Sequence, residues 1–322
     1  MTFAVPNVVG EARVVVLAGG LSYERDVSLR SGRRITDALT RVGVAAELRD
    51  VDASLLPSLV DDPPDAVVFA LHGQVGEDGS LRSVLDLIGV PYVGPSAAAA
   101  HRAWDKPAAK AILTEAGIAT PEWIALPREM FSDLGAGPLL ERIVERLGLP
   151  LAVKPASGGS GLGVHLVRTV AELPAAMIGC FAYGDVALVE RFATGVDVAI
   201  GVIDGPEAPI TLPAVEIEPI SGEYDYAARY NPGATTWHVP ARLSETQATA
   251  AAAAAIGAYQ ALGLRDLSRV DLIVPDSGAP QVLEANVVPG MTETSLFPMA
   301  AEAAGHDIGD LLVAMVHRVL AT

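Results

Sequence analysis

The chain has 322 residues, 51% of them hydrophobic and 19% charged, with a formal net charge of -17. That composition excludes a disordered tail and provides cores for two or three subdomains, while the acidity excludes a nucleic-acid backbone or an anionic membrane as the main partner, because both reward basic patches. One cysteine, Cys180, excludes an internal disulfide, and with no secretory pattern in Met1 to Arg13 and no apolar window of about 18 residues the expected location is cytoplasmic.

Val14 to Ala18 is a short apolar run that ends at Gly19-Gly20. A helix from about Ser28 to Val42 and a strand from Ala66 to Leu71 follow, and strands alternating with helices predict a parallel α/β domain. The ligand-facing edge of such a domain lies at the carboxyl ends of its strands, where Gly19 to Arg25 and His72 to Gly79 both fall. No G-x-G-x-x-G accompanies the glycine pair, which argues against a dinucleotide fold.

From Trp104 the character changes: a helix over Lys106 to Ala116, a break at Gly117 to Pro121, a helix through Leu139 to Leu147, then the strand Leu151 to Lys154. Pro155 to Gly163 follows, rich in glycine and serine, before another strand-like run, Val164 to Val167. A Walker loop needs G-x-x-x-x-G-K-[ST] and a helix after it. Neither is present, so the segment reads as a flap between two strands, its amides lying over phosphates while Lys154 reaches in as a point charge; a plain flexible hairpin is the alternative.

Val186 to Phe192 is a strand that carries Glu190 near its end, and Gly195 begins another that runs to Ile200. Ser221 to Ala241 shows little periodicity, carries Tyr224, Asp225, Tyr226, Arg229 and Tyr230, and reads as a lid. Thr246 to Leu262 is an alanine-rich helix stopped by Gly263, Ala300 to Leu320 reads as one C-terminal helix, and no internal repeat is evident.

Between these helices lies the most informative stretch. Arg269 to Val274 and Gln281 to Asn286 alternate as strands, and Pro275 to Pro280 is turn chemistry. A turn centred on Ser277-Gly278 sets Asp271 against Glu284 and Arg269 against Asn286, all on one face, with Val270, Leu272, Val282 and Leu283 pointing the other way. Opposed carboxylates repel, so a cation belongs between them. Two carboxylates and an amide are oxygen ligands suited to magnesium, which usually arrives with substrate phosphates; a solvated hairpin with an exposed charged face is the alternative.

Taken in order, these pieces resemble the ATP-grasp superfamily, and within it the D-alanine–D-alanine ligases. The resemblance rests on Ala18-Gly19-Gly20 with Ser22 to Ser28, Leu71-His72-Gly73 with Gly76 to Gly79, Asp105-Lys106, and Val153-Lys154-Pro155 with its flap. It continues through Tyr224 to Tyr226, Arg229-Tyr230, Arg269-Val270-Asp271, Leu283 to Asn286, Pro289 to Thr292 and Ser295-Leu296, and so spans nearly the whole chain.

The resemblance implies an α/β fold with α+β character in its later parts. The parts would be an N-terminal parallel α/β substrate-binding subdomain (1–103), a central ATP-grasp subdomain with the flap (104–190) and a C-terminal one with the lid and metal site (191–322). It also implies that ATP phosphorylates the carboxylate of one D-alanine and that the amine of a second attacks the acyl phosphate. Lys106, Lys154 and Arg229 would then hold phosphates, and Glu190, the backbone from Arg191 to Ala193, and Asp197 would take adenine and ribose. Asp271, Glu284 and Asn286 would bind two magnesium ions, for which manganese can substitute, and Arg269 with the Gly290 amide would stabilise the oxyanion. Glu24 would take the first ammonium with His72 beside it, Ser295 and the Leu296 amide the second carboxylate, and Ser160 and Tyr230 would link to Glu24 and hold the lid shut. A homodimer is implied as well.

Three positions depart from the family pattern. The flap has Gly158 where a glutamate is common and lacks a second serine, Arg229 replaces a lysine, and Thr294 stands where many relatives have histidine. A ligase for other amino or hydroxy acids, and a non-catalytic nucleotide-binding regulator, remain as alternative readings. Against the regulator stands the retention together of Arg269, Asp271, Glu284 and Asn286.

Overall fold

Five consecutive apolar residues, Val14 to Ala18, make strand β1 (Arg13–Ala18) the centre of a three-stranded parallel sheet, with all five buried. It is flanked by β2 (Ala45–Asp50) and β3 (Ala66–Phe69). The computed structural model describes residues 12–222, 224, 228, 229, 231 and 233–321. The helix expected after the glycine pair is present and runs Arg25–Arg41. Its buried Gly32 lets it approach the sheet, because a Cβ there would lie 2.6 Å from that of Ala18.

The second sheet is antiparallel, in the order β4 (Trp123–Pro127), β7 (Val186–Arg191), β5 (Leu151–Pro155) and β6 (His165–Val167). The glycine-rich segment joins β5 to β6, as a flap between strands requires. The third sheet runs β11 (Thr235–His238), β10 (Val215–Pro219), β8 (Val196–Asp204), β12 (Leu267–Val274) and β13 (Gln281–Asn286), with β9 (Pro209–Thr211) on β8.

The hairpin pairs Asp271 with Glu284 and Arg269 with Asn286, as the sequence predicts. Nearer the turn the register shifts, so that Leu272 pairs with Val282 and Leu283 becomes the extra residue of a bulge. This corrects one expectation: Val270, Leu272 and Val282 are buried in the core, but Leu283 lines the cavity beside Glu284. A bulge places two successive residues against one partner and so breaks the strict alternation from which the inward direction of Leu283 was read.

Two further expectations change. The segment Ala300 to Leu320 is not one helix but the end of Leu296–Ala303 followed by Ile308–Leu320. Gly305 at φ 77 stops the first, and the Asp307 side chain accepts the Gly309 amide at 2.7 Å to start the second. The lid segment 221–241 contains strand β11, whose Thr-Thr-Trp-His sequence pairs with β10. Asp225, Tyr226 and Tyr230 lie outside the described residues.

The last helix closes the first sheet: Leu311, Leu312, Met315 and Val316 share one buried cluster with Val14, Val16 and Ile35. The N-terminal core is therefore completed by residues near the other end of the chain.

Candidate active site

A cavity of about 740 Å³ lies between the second and third sheets. Lys106, Lys154, Glu190, Arg191, Ala193, Asp197, Arg229, Asp271 and Glu284 all line it, so the residues assigned to nucleotide and two of the three assigned to metal share one space. Alternation on the strands produces this convergence. Lys154 on β5 and Glu190 on β7 project from neighbouring strands, and Asp197 on β8 stands opposite Ile273, two residues from Asp271 on β12.

On the floor, the Arg269 Nε and Nη2 donate to the two oxygens of Asp271 at 2.7 and 2.8 Å. The Asn286 amide donates to the same carboxylate at 3.2 Å. This forked pair is largely buried, and removing one member of such a pair typically costs about 3–5 kcal/mol. Burial opposes the Arg269 charge, but Asp271 outweighs it and holds the guanidinium above its ordinary value. Across the hairpin Glu284 lies 3.5 Å from Lys106. Burial would raise its pKa, yet Lys106, Lys154 and Arg229 outweigh burial and bring it down to about 2. The repulsion expected between Asp271 and Glu284 is thus offset by Arg269 on one side and Lys106 on the other.

On the wall, Glu190 is 2% exposed and sits 2.6 Å from Lys154 and 2.6 Å from Lys110. Lys110 escaped the sequence reading, although its position one helical turn after Lys106 was the available signal. Lys106 donates to the Gly158 carbonyl at 2.6 Å and so holds the flap as well as meeting Glu284. Asp197 is pushed up to about 7 by burial and by Asp271. Arg229 lies 4.3 Å over the Tyr224 ring and donates to the Tyr224 carbonyl at 3.4 Å.

A second cluster adjoins the flap. Glu24 is 7% exposed, and a Cβ on Gly73 would approach one of its oxygens to 3.1 Å while one on Gly159 would lie 3.6 Å from the other. Any larger residue at Gly73 would crowd the carboxylate, and the φ of 82 there favours glycine in any case. Ser160, next to Gly159, takes φ 57. His72 contacts Ser31 at 3.4 Å, and Ser31 accepts the Met291 amide at 3.1 Å, which ties the first sheet to the Gly290 loop. Burial and Arg269 lower His72 to about 4, so it is neutral at physiological pH and its 3.9 Å approach to Glu77 is not an ion pair. Glu77, missed as a site residue although its motif was noted, is raised to about 7 chiefly by burial.

Gly290 and Ser295 face each other closely, since a Cβ on Gly290 would lie 2.8 Å from the Ser295 hydroxyl. That hydroxyl accepts the Thr292 amide at 2.9 Å. Leu296 opens the helix Leu296–Ala303, so its amide is one of the N-terminal donors that the helix itself leaves unpaired. The structure therefore gathers Glu24, His72, Gly290, Ser295 and Leu296 around loops of the first sheet and the hairpin, while Tyr230 lies outside the described residues.

A family model described as D-ala D-ala ligase C-terminus matches residues 112–317. A D-alanine–D-alanine ligase from Anaeromyxobacter dehalogenans is 41% identical over 300 residues, which cover 93% of this chain and 94% of that protein. The chain belongs to the D-alanine–D-alanine ligase family. A second member, from Syntrophotalea carbinolica, is 40% identical with 97% of this chain and 96% of its own length covered. Among solved structures, the Bacillus anthracis D-alanine–D-alanine ligase complexed with ATP superposes with a TM-score of 0.80 at 30% identity, covering 96% of this chain and 97% of that one. The VanG D-Ala:D-Ser ligase from Enterococcus faecalis gives a TM-score of 0.80 at 26% identity, with 96% and 99% covered. The fold is that of the ATP-grasp ligases, and the chain is an enzyme of this family.

Proposed function

We propose that this enzyme joins two D-alanine molecules to D-alanyl-D-alanine, the dipeptide of peptidoglycan precursors, and converts ATP to ADP and phosphate. The observation that carries the reading is the array Arg269, Asp271, Glu284 and Asn286 on one hairpin, whose two acids, Asp271 and Glu284, line a cavity that Lys106 and Lys154 also line.

In this reading a carboxylate oxygen of the first D-alanine attacks the γ-phosphorus of ATP, and the bond to the β-phosphate oxygen breaks. The amine of the second D-alanine then attacks the acyl phosphate carbon, loses a proton, and the tetrahedral intermediate expels inorganic phosphate. Lys106, Lys154 and Arg229 bind the phosphates, and Glu190, the Arg191–Ala193 backbone and Asp197 take adenine and ribose. Glu24 receives the first ammonium, Arg269 and the Gly290 amide meet the oxyanion, and Ser295 with the Leu296 amide holds the second carboxylate. Ser160 and Tyr230 close the lid over Glu24, with neutral His72 beside it.

Asp271, Glu284 and Asn286 offer oxygen donors only, side by side, and Lys106 and Arg269 already hold positive charge against them. That donor set fits two magnesium or manganese ions, which would screen phosphate charge and align the transferring group. The division at residues 103 and 190, a cytoplasmic location where ATP is available, and a homodimer belong to the same proposal. Phosphate release from ATP with D-alanine, D-serine and D-lactate as acceptors tests it: release must require D-alanine as donor, and the acceptor giving the highest kcat/KM defines the product. Release independent of D-alanine overturns the reading.

A further inference from the structure

Lys110 projects from the same helix as Lys106, Lys106–Glu115, one turn further on, and is 1% exposed. It does not line the cavity. Its ammonium lies 2.6 Å from one oxygen of Glu190, whose other oxygen lies 2.6 Å from Lys154. Behind it, Lys110 donates to the Thr120 hydroxyl and lies 3.4 Å from the Pro121 carbonyl. Thr120 in turn donates to the Val282 carbonyl at 2.8 Å, two residues before Glu284.

Charge counting shows what this arrangement does. A carboxylate paired with Lys154 alone would cancel the charge of that lysine, leaving the wall neutral toward a polyanion. With Lys110 behind it, the group of three carries a net positive charge, and the exposed member of that group is Lys154. Burial makes the effect matter, since charges in a dry site act over short distances with little solvent screening. In a chain of net charge -17 the local excess has to be built residue by residue.

We propose that Lys110 is a positioning residue for the nucleotide: by neutralising and orienting Glu190 from behind, it leaves Lys154 net cationic toward the phosphates. Burial pulls the Lys110 ammonium down to about 8, and burial of Glu190 is outweighed by Lys154 and Lys110, which keep its carboxyl below the usual value. Both therefore stay charged at neutral pH. The inference rests on the nucleotide reading above, and the experiment separates their failures.

Calorimetric titration of the full chain with ADP and with adenosine, magnesium present, is the test. Lys110→Met should weaken ADP on the order of ten- to a hundredfold, the effect expected for losing interactions with a charged group. Adenosine, which meets Glu190 but brings no phosphate charge, should weaken by a clearly smaller factor, the KM for D-alanine should not change, and Lys110→Arg should restore most of the ADP affinity. Equal weakening of ADP and adenosine, or unchanged ADP binding, overturns the inference; failure of the native chain to bind ADP overturns the nucleotide reading instead. If Lys110→Met does not fold, the pair of charges can be removed together in Lys110→Met with Glu190→Gln. That double variant should bind ADP as Glu190→Gln alone does, and any further loss means that Lys110 does not act through Glu190.

Discussion

The nucleotide side and the amino-acid side of the site use opposite electrostatic strategies. At the cavity between the second and third sheets, Arg269 meets Asp271, Lys106 meets Glu284, and Lys154 and Lys110 meet Glu190, so each of these three acids has a cation within reach, while Asp197 beside them is pushed up to about 7 by burial and by Asp271. Around Glu24 and Glu77, among the described residues, neither acid is ion-paired to a lysine or arginine. The first region is prepared for a ligand of many charges, which exchanges partners with a preformed set. On the proposed function the second receives a single ammonium, which would supply the positive charge that its acids lack. Matching charges in advance keeps a large polar cavity stable, whereas leaving one short makes the substrate itself the counterion.

The sharpest way to break this comparison is to remove an acid from the matched side. Glu284→Gln should lower turnover on the order of a thousandfold, comparable to losing a charged group that contacts a transferring phosphoryl. It should not stabilise the chain, because Lys106 would lose its partner; thermal unfolding and phosphate release measure the two effects. Lys154→Ala should raise the KM for ATP roughly ten- to a hundredfold while the KM for D-alanine stays near its native value, and an equal rise in both would mean that the lysine serves the fold or the lid.

Effects on the unmatched side should be smaller and confined to the amino acid. Tyr230→Phe should weaken D-alanine about tenfold and leave ATP titration unchanged, because only a hydroxyl is lost. Normal D-alanine kinetics in that variant would reduce Tyr230 to a packed aromatic. Glu77 gives the finest test. Its pKa near 7 means that it gains charge as pH rises through neutrality, which favours a bound ammonium, so the KM for D-alanine should fall from pH 6 to 8 and flatten in Glu77→Gln. For stability the sign is reversed. The folded chain keeps a proton that the unfolded chain releases near its ordinary value of 4.5, so the contribution of Glu77 declines as pH rises from there toward 7.

Much of this was legible because alternation on strands is strict. The opposition of Asp271 and Glu284 follows from the spacing of apolar residues and one turn, and the structure pairs them. Leu283 was not legible, since a single inserted residue leaves the pattern nearly intact while reversing one side chain. Lys110 was hidden for a different reason. A lysine on a surface helix is ordinarily solvated, and only the third dimension shows that this one lies under β7 against Glu190. The split between Leu296–Ala303 and Ile308–Leu320 was encoded in Gly305 and Asp307, whose stop and start signals were overridden by the apolar periodicity on either side.

The packing of the helix Ile308–Leu320 against Val14 and Val16 has a consequence for biosynthesis. A nascent chain presents its first strands long before the residues that cover them have left the ribosome, and contacts of such sequence separation close late. The N-terminal sheet is therefore expected to remain incompletely sealed until Ile308–Leu320 has left the ribosome, with an apolar face that chaperones can grip. A chain truncated before Ile308 should carry that exposed face permanently and be recovered mainly in the insoluble fraction.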